Sequence, residues 1–497
     1  MTRALPRPEP ALRPGAIGFL DSLVIGLAAT SPAYSLAAVI GPVVALVGVH
    51  APGVMLASFV PMLLIAGAFA ALNRADPDCG TTFSWVTRAF GPTAGWIGGW
   101  AIAMTGVLVV GSLAEVGVRF TLLVLGLDAL ADSTPAVIAL SVLLVLVMSA
   151  VCVLGTELSS RLQNGLILAQ TAALLVFAVV AVVRGVRGDS PFGGLTPSWE
   201  WLDPFGAGGA ALTGGLLLGV FAYWGWESAV NLTEETTDSR VAPGRAGVWS
   251  TVVLLVTYVG VAVAVVSFAG TAWLADNADE EEAVFALLSA EALGGWDWVV
   301  LAAVATSAIA STQTTIIPAS RTGLSMARRA ALPARFASVS ERFRTPDVAT
   351  WWVAGVAVAW YVGVHAVSEN ALFDSITALS LLIALYYALT GVACAWYFRR
   401  RLARSLRDAL LLGVGPLVGA ALLAWLLVLS VRDLADPENS YTGQAWLGVG
   451  PPLVIGVGIM LAGVALMLVW RRRDSRFWQE RPGVAPEDAD PLADRAG

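Results

Sequence analysis

Lysine is absent from this chain: all 29 basic residues are arginine. That excludes any mechanism built on a lysine amine, although the absence carries no functional weight by itself. Histidine is nearly absent, with only His50 and His365, so a zinc or di-metal enzyme site has too few ligands and no metal or other cofactor is expected. Cys79, Cys152 and Cys394 are the three cysteines. Each falls in or beside an apolar run, with no metal-ligand spacing and no disulfide framework. Charge is also scarce. Only 13% of the 497 residues are charged, too few to keep a soluble domain of this size in solution. The net charge of −7 argues against nucleic acid as a partner.

What is present is apolar sequence, 57% of the chain. Runs of about 20 residues match a hydrocarbon layer of about 30 Å at about 1.5 Å rise per residue. Twelve such spans are expected at 17–46, 51–72, 93–124, 135–155, 160–184, 209–237, 245–274, 296–326, 347–364, 371–397, 409–431 and 445–471. Connections after the even-numbered spans and the span ends that flank them, together with both tails, hold every arginine except Arg119, Arg184, Arg187 and Arg432. The other side carries acids such as Asp276, Asp279 to Glu282, Asp433 and Asp436. The positive-inside rule then places both termini in the cytoplasm, and an even number of spans requires the same. Residues 1–16 are a basic, Pro-containing cytoplasmic tail with no signal-peptide cleavage site after the long first run. Residues 279–292 read as an external amphipathic helix and 76–92 as a cytoplasmic re-entrant or surface segment. Residues 472–497 read as a disordered cytoplasmic tail.

Two spans should not be continuous helices. Span 1 contains ATSPAYS at 29–35, where Pro32 removes an amide and clashes with the preceding turn. Span 6 contains FAYWGWES at 221–228, weakened by Gly225 at a corresponding depth. Either alone reads more simply as a kink or a packing glycine. Their matched positions, each in the first helix of a five-span set, are the mark of an inverted-repeat transporter. The repeats would be 17–184 and 209–397, with 409–471 contributing helices 11 and 12. A half-helix N-terminus offers amides and partial positive charge to a carboxylate, and unwound carbonyls near 221–225 accept from an ammonium group. An α-amino acid spans both.

At these residues the chain resembles the amino acid–polyamine–organocation superfamily of permeases. FAYWGWESAVNLTEETTDSRVAPGRA (221–246) is similar to its sixth-helix pattern, SRTGLSMARRAALPARFASVSERFRTP (320–346) to the signature after its eighth helix, and PDCGTTFSWVTRAFGPTAGWIGGW (77–100) to the approach to its third. The resemblance implies an all-α polytopic membrane protein with twelve transmembrane helices, a 5+5 inverted repeat with helices 1 and 6 broken, and alternating access. It implies amino acids, polyamines or related organic cations as substrates. Carried over by position, Thr30, Ser31, Ala33, Tyr34 and Ser35 hold the carboxylate, while Phe221, Ala222, Tyr223, Trp224 and Gly225 supply carbonyls and an aromatic gate. The chain departs from the pattern at its first break, where TSPAYS replaces a Gly-Ser-Gly type, and at Cys79, which replaces a glycine. Gln170 stands where many proton-coupled members carry a fifth-helix lysine, which puts lysine-based proton coupling in doubt.

Other residues keep two readings open. Glu227 near the midplane is either a titrating or cation-sensing carboxylate or a cap on the second half of the broken helix. Glu115 and Arg119 are spaced for an i,i+4 pair. Asp21 suits helix-dipole complementation or an inner gate, and Glu234 and Glu235 suit gate contacts with arginines. Ser307, Ser311 and Thr312 form a hydroxyl face of span 8, either a candidate sodium site or ordinary helix-bonding hydroxyls. Tyr386, Tyr387, Trp351 and Trp352 read as packing or interfacial aromatics. The expected function is an amino acid permease of the cell membrane, a symporter or exchanger coupled to H⁺ or Na⁺, monomeric or homodimeric. A polyamine or organic-cation transporter of the same fold and a nutrient sensor on a transporter scaffold are the alternatives. No catalytic residues are expected.

Overall fold

A computed structural model describes residues 11–277, 281–367, 371–440 and 442–483. It is helical throughout, and among the described residues the only β-structure is two isolated bridges. The first helices are α1 (Phe19–Thr30), α2 (Pro32–Val47), α3 (Ala51–Ala75), α4 (Thr82–Phe90) and α5 (Pro92–Val124). There follow α6 (Thr134–Leu154), α7 (Thr156–Arg187), α8 (Gly209–Ala222), the single turn α9 (Ser228–Asn231) and α10 (Ala242–Asp276). The chain continues through α11 (Glu281–Leu293), α12 (Trp298–Arg328), α13 (Asp347–Val367), α14 (Ala371–Tyr397), α15 (Gly415–Asp433) and α16 (Pro451–Arg473). Of the expected acids before α11, Asp279 and Glu280 lie outside the described residues.

Ten stretches among the described residues are helical and apolar enough to cross a bilayer, counting Phe19–Ala75 as one. This is a multi-pass membrane protein. The sixth expected span differs most from its sequence outline. Its helix α8 is 14 residues long, and the chain then turns through 223–227 before α9.

Lipid and core compete for the apolar residues, and burial separates them. The faces of α5 and α12 are the most enclosed, with 78% of their most apolar windows buried. Gly106 makes their contact possible, since a Cβ there would lie 3.1 Å from the Ala319 Cβ and 3.2 Å from the Thr315 carbonyl. By contrast α16 buries 28% of its window and exposes Leu461, Leu468 and Val469. An apolar face turned outward in a chain this poor in charge is a lipid face rather than an error of packing.

The disordered tail expected from residue 472 needs correction. Helix α16 runs to Arg473 and a 3₁₀ turn follows at Phe477–Gln479. Phe477 is buried against Phe83 and Trp96, Trp478 packs on Trp96, and Glu480 pairs with Arg329. Two aromatics give this polar segment enough apolar area to hold it down. Residues 484–497 lie outside the described residues.

Candidate functional site

The break between α1 and α2 is one residue wide. Ser31 adopts the left-handed conformation (φ 54°, ψ 62°), and its amide closes α1 by donating to the carbonyls of Leu27 and Ala28. Pro32 then opens α2 as its first residue, where its missing amide costs nothing. The Ser31 side chain makes no capping bond to α2. Instead its hydroxyl meets Ser307 Oγ at 3.0 Å, while Ser311 Oγ donates to the Ala29 carbonyl at 2.9 Å. Thr30 donates to Gly26 and Ser35 donates back to the Thr30 carbonyl at 2.8 Å. Tyr34 reaches across to Ser112 of α5 at 3.2 Å.

The second break is wider and is held by distant side chains. Tyr258 of α10 donates to the Ala222 carbonyl at 2.7 Å, which satisfies one group freed at the end of α8. Gly225 has φ 118°, and a Cβ there would lie 2.7 Å from the Ala29 carbonyl oxygen. Only glycine lets the two breaks touch at this point. Trp224 donates its indole N–H to the Tyr386 hydroxyl. Tyr386 and the adjacent Tyr387 both donate to the Glu227 carboxylate. Trp226 stacks on Tyr387, with centroids 5.5 Å apart.

Of the residues expected to line the site, Thr30, Ser31, Ala33, Tyr34, Ser35, Ala222, Tyr223 and Trp224 are all buried, and Phe221 is half-buried. The centre is therefore closed to solvent. Closure toward the end where the chain begins is visible in detail. Glu235 and Arg321 form an ion pair at 3.0 Å with both side chains 1% exposed. Glu234 pairs with Arg328 at 2.7 Å. Ile17 pairs with the backbone around Thr236, and Leu12 is buried with Cys79, Leu324 and Val339. Asp21 accepts from the Gly18 amide and from Asn164, each at 3.0 Å, so it serves the start of α1 and also ties α1 to α7.

Two other expectations change. Glu227 makes no capping bond to α9; its oxygens go to Tyr386 and Tyr387. Those tyrosines are thus more than packing aromatics. Sequence reasoning missed them, although two adjacent phenols in one apolar run were the available signal for a lone carboxylate needing donors. Glu115 does pair with Arg119 at 3.1 Å, and it is also held by Tyr361 at 3.0 Å and His365 at 2.8 Å. Of the hydroxyl face, Ser307 and Ser311 meet the first break, while Thr312 bonds the Ala308 carbonyl of its own helix. Gln170 is fully buried, and neither atom of its amide has a partner among the described residues. Asp78, Cys79 and Glu234 place ligand-type atoms within 4.8 Å of one another. They are engaged with Ser325, the Arg321 carbonyl and Arg328, which makes them part of the closure network.

The amino acid permease family model matches residues 17–470, a stretch that includes both breaks and the closure beneath them. The chain belongs to the amino acid permease family. It is 28% identical over 449 residues to the human Asc-type amino acid transporter 1, covering 87% of this chain and 78% of that one. It is 24% identical to the branched-chain amino acid permease BcaP of Lactococcus lactis, covering 72% and 77% respectively. An uncharacterized transporter of Mycobacterium tuberculosis is 27% identical over 92% of this chain and 93% of its own. The permease is thus an amino acid transporter and not an enzyme.

Proposed function

We propose that this permease carries α-amino acids across the cytoplasmic membrane by alternating access, as a symporter or exchanger. Twelve helices in two inverted five-helix repeats plus two peripheral helices, with both termini in the cytoplasm, are the architecture this reading uses. The contact of Gly225 with the Ala29 carbonyl carries the reading. It brings the N-terminal end of α2, suited to a carboxylate, beside the C-terminal end of α8, suited to an ammonium group. Thr30, Ser31, Ala33, Tyr34 and Ser35 would receive the carboxylate. Residues 221–225 would receive the amine, with Trp224 as an aromatic wall.

The acids that would favour a polyamine are already committed. Glu115 is bound by Arg119, Tyr361 and His365, and Glu227 by two tyrosines. A carboxylate with all its donors supplied has little to gain from a substrate cation. For coupling, Ser311 at the carbonyl of Ala29 and Ser307 at the Ser31 hydroxyl are the oxygen ligands a sodium ion would use. Gln170 is a neutral amide and takes up no proton of its own. Sodium is therefore the driving ion this arrangement favours.

Counterflow in proteoliposomes tests the proposal. Vesicles loaded with unlabelled amino acid should accumulate labelled neutral amino acids and ignore putrescine and spermidine. Accumulation of polyamine alone would favour the organic-cation reading. Binding without any flux would favour a sensor.

A further inference from the structure

The end of α14 carries an arrangement that transport does not use. A cleft of about 490 Å³ opens between Phe90, Trp396, Arg399, Arg400 and the returning tail at Pro482 and Gly483. The tail wall is fixed by the Gly483 amide, which donates to the Arg88 carbonyl at 2.7 Å. The Arg399 guanidinium lies 4.4 Å over the Trp396 ring and donates to the Trp396 carbonyl at 2.8 Å. Phe90 continues the aromatic floor, its centroid 6.1 Å from that of Trp396.

Charge here is unbalanced. Neighbouring Arg88 is answered by Asp76, Arg329 by Glu480 and Arg401 by Asp408. Arg399 and Arg400 have no carboxylate within ion-pair distance among the described residues, and both are exposed. Immediately below them the surface is apolar. Trp396 is 48% exposed and Val392, one helical turn earlier on the same face, is 40% exposed. The cleft therefore joins two cations, an aromatic shelf and a lipid-facing wall at the boundary between span and connection.

We infer that this cleft binds the headgroup of an anionic phospholipid of the inner leaflet. Its phosphodiester would lie against Arg399 and Arg400, and its acyl chains along Trp396 and Val392. Basic pockets at the cytoplasmic ends of membrane helices suit such headgroups, and Trp at the interface suits the glycerol level. A soluble phosphate would use the arginines and leave the apolar wall unused; only an amphipathic anion uses both. The leaflet rests on the orientation proposed above, whereas the lipid class rests on the cleft alone.

Native mass spectrometry of the delipidated full-length permease, titrated in detergent with phosphatidylglycerol or phosphatidylcholine of equal chains, tests this without any transport readout. Phosphatidylglycerol should be retained preferentially, and R399Q/R400Q should weaken retention by roughly tenfold to thirtyfold. The equal-charge control R471Q/R472Q should leave it unchanged. Equal retention of the two lipids, or equal loss in both double variants, would overturn the site. Thermal protection by inorganic phosphate matching that by phosphatidylglycerol would overturn the lipid assignment. A permease that binds phosphatidylglycerol but moves no amino acid would defeat the proposed function and leave this one standing.

Discussion

The two interruptions at the centre of this permease solve the same problem by different means. At the first, a single residue in the left-handed region interrupts the chain, Pro32 restarts the helix, and the short gap is met by the Ser35 hydroxyl and, from α12, by Ser311. At the second, five residues separate α8 from α9; Tyr258 of α10 meets the freed Ala222 carbonyl, while Tyr386 and Tyr387 of α14 hold the Glu227 side chain. The remote phenols tie Trp224 and Glu227 to α14. On the proposed function, the first break would hold a substrate charge and the second would report that a substrate is present.

The largest expected effect comes from closing the space where the breaks meet. Gly225→Ala places a Cβ 2.7 Å from the Ala29 carbonyl at a φ of 118°. Backbone strain of about 1–3 kcal/mol adds to that clash, so folded yield measured by size-exclusion chromatography should collapse. Gly225→Ala with full uptake would mean that the two breaks do not touch in the working protein.

Removing a remote support should cost less. Tyr386→Phe leaves a Glu227 oxygen without that donor and the Trp224 indole without its acceptor, a loss of about 1–3 kcal/mol read by thermal melting in detergent. Transport should fall with it, because Trp224 loses its link to α14. The double variant Tyr386→Phe/Glu227→Gln should be less than additive, since both changes remove one network. Additive losses would separate the tyrosine from the carboxylate.

Away from both breaks, Asp76 supplies a pH signature. Burial pushes its carboxyl up to about 6 even though Arg88 lies 2.5 Å away. The folded chain therefore holds this proton more tightly than the unfolded one, which stabilises the permease most below about pH 4. That contribution disappears as the pH rises through about 6, and it should be on the order of 1 kcal/mol because Arg88 is partly exposed to solvent. Asp76→Asn should flatten melting temperature against pH over that window. An unchanged slope would assign it elsewhere.

The smallest effect is expected at the local break. Ser31→Gly relieves the left-handed backbone but loses the hydroxyl contact with Ser307, so the two should offset to within about 1 kcal/mol. A large loss of stability there would show that the Ser31–Ser307 contact outweighs the relief of backbone strain.

The same contrast explains what could be read from the sequence. Membrane spans, the interruption at Pro32 and the pairing of Glu115 with Arg119 follow from nearest neighbours along a helix, and these are legible. The hydrogen bonds of Tyr258 and Tyr386 depend on which helices meet, which no local pattern encodes. Of the site, Ser307 and Ser311 were legible as a hydroxyl face spaced by one turn. Phe477 and Trp478 were overlooked because a charged segment outweighs two aromatics in composition, although two aromatics suffice to dock a short tail.

Recognition of both charges of a zwitterion is the property on which the site stands or falls. Competition binding to the purified permease should compare a transported amino acid with its methyl ester and with its deaminated acid. Each analogue loses one charged contact, worth about 1.5–3 kcal/mol, so each should compete roughly tenfold to a hundredfold less well. An ester that competes as well as the parent amino acid would contradict a carboxylate site at the first break, and a deaminated acid that does so would contradict an ammonium site at the second.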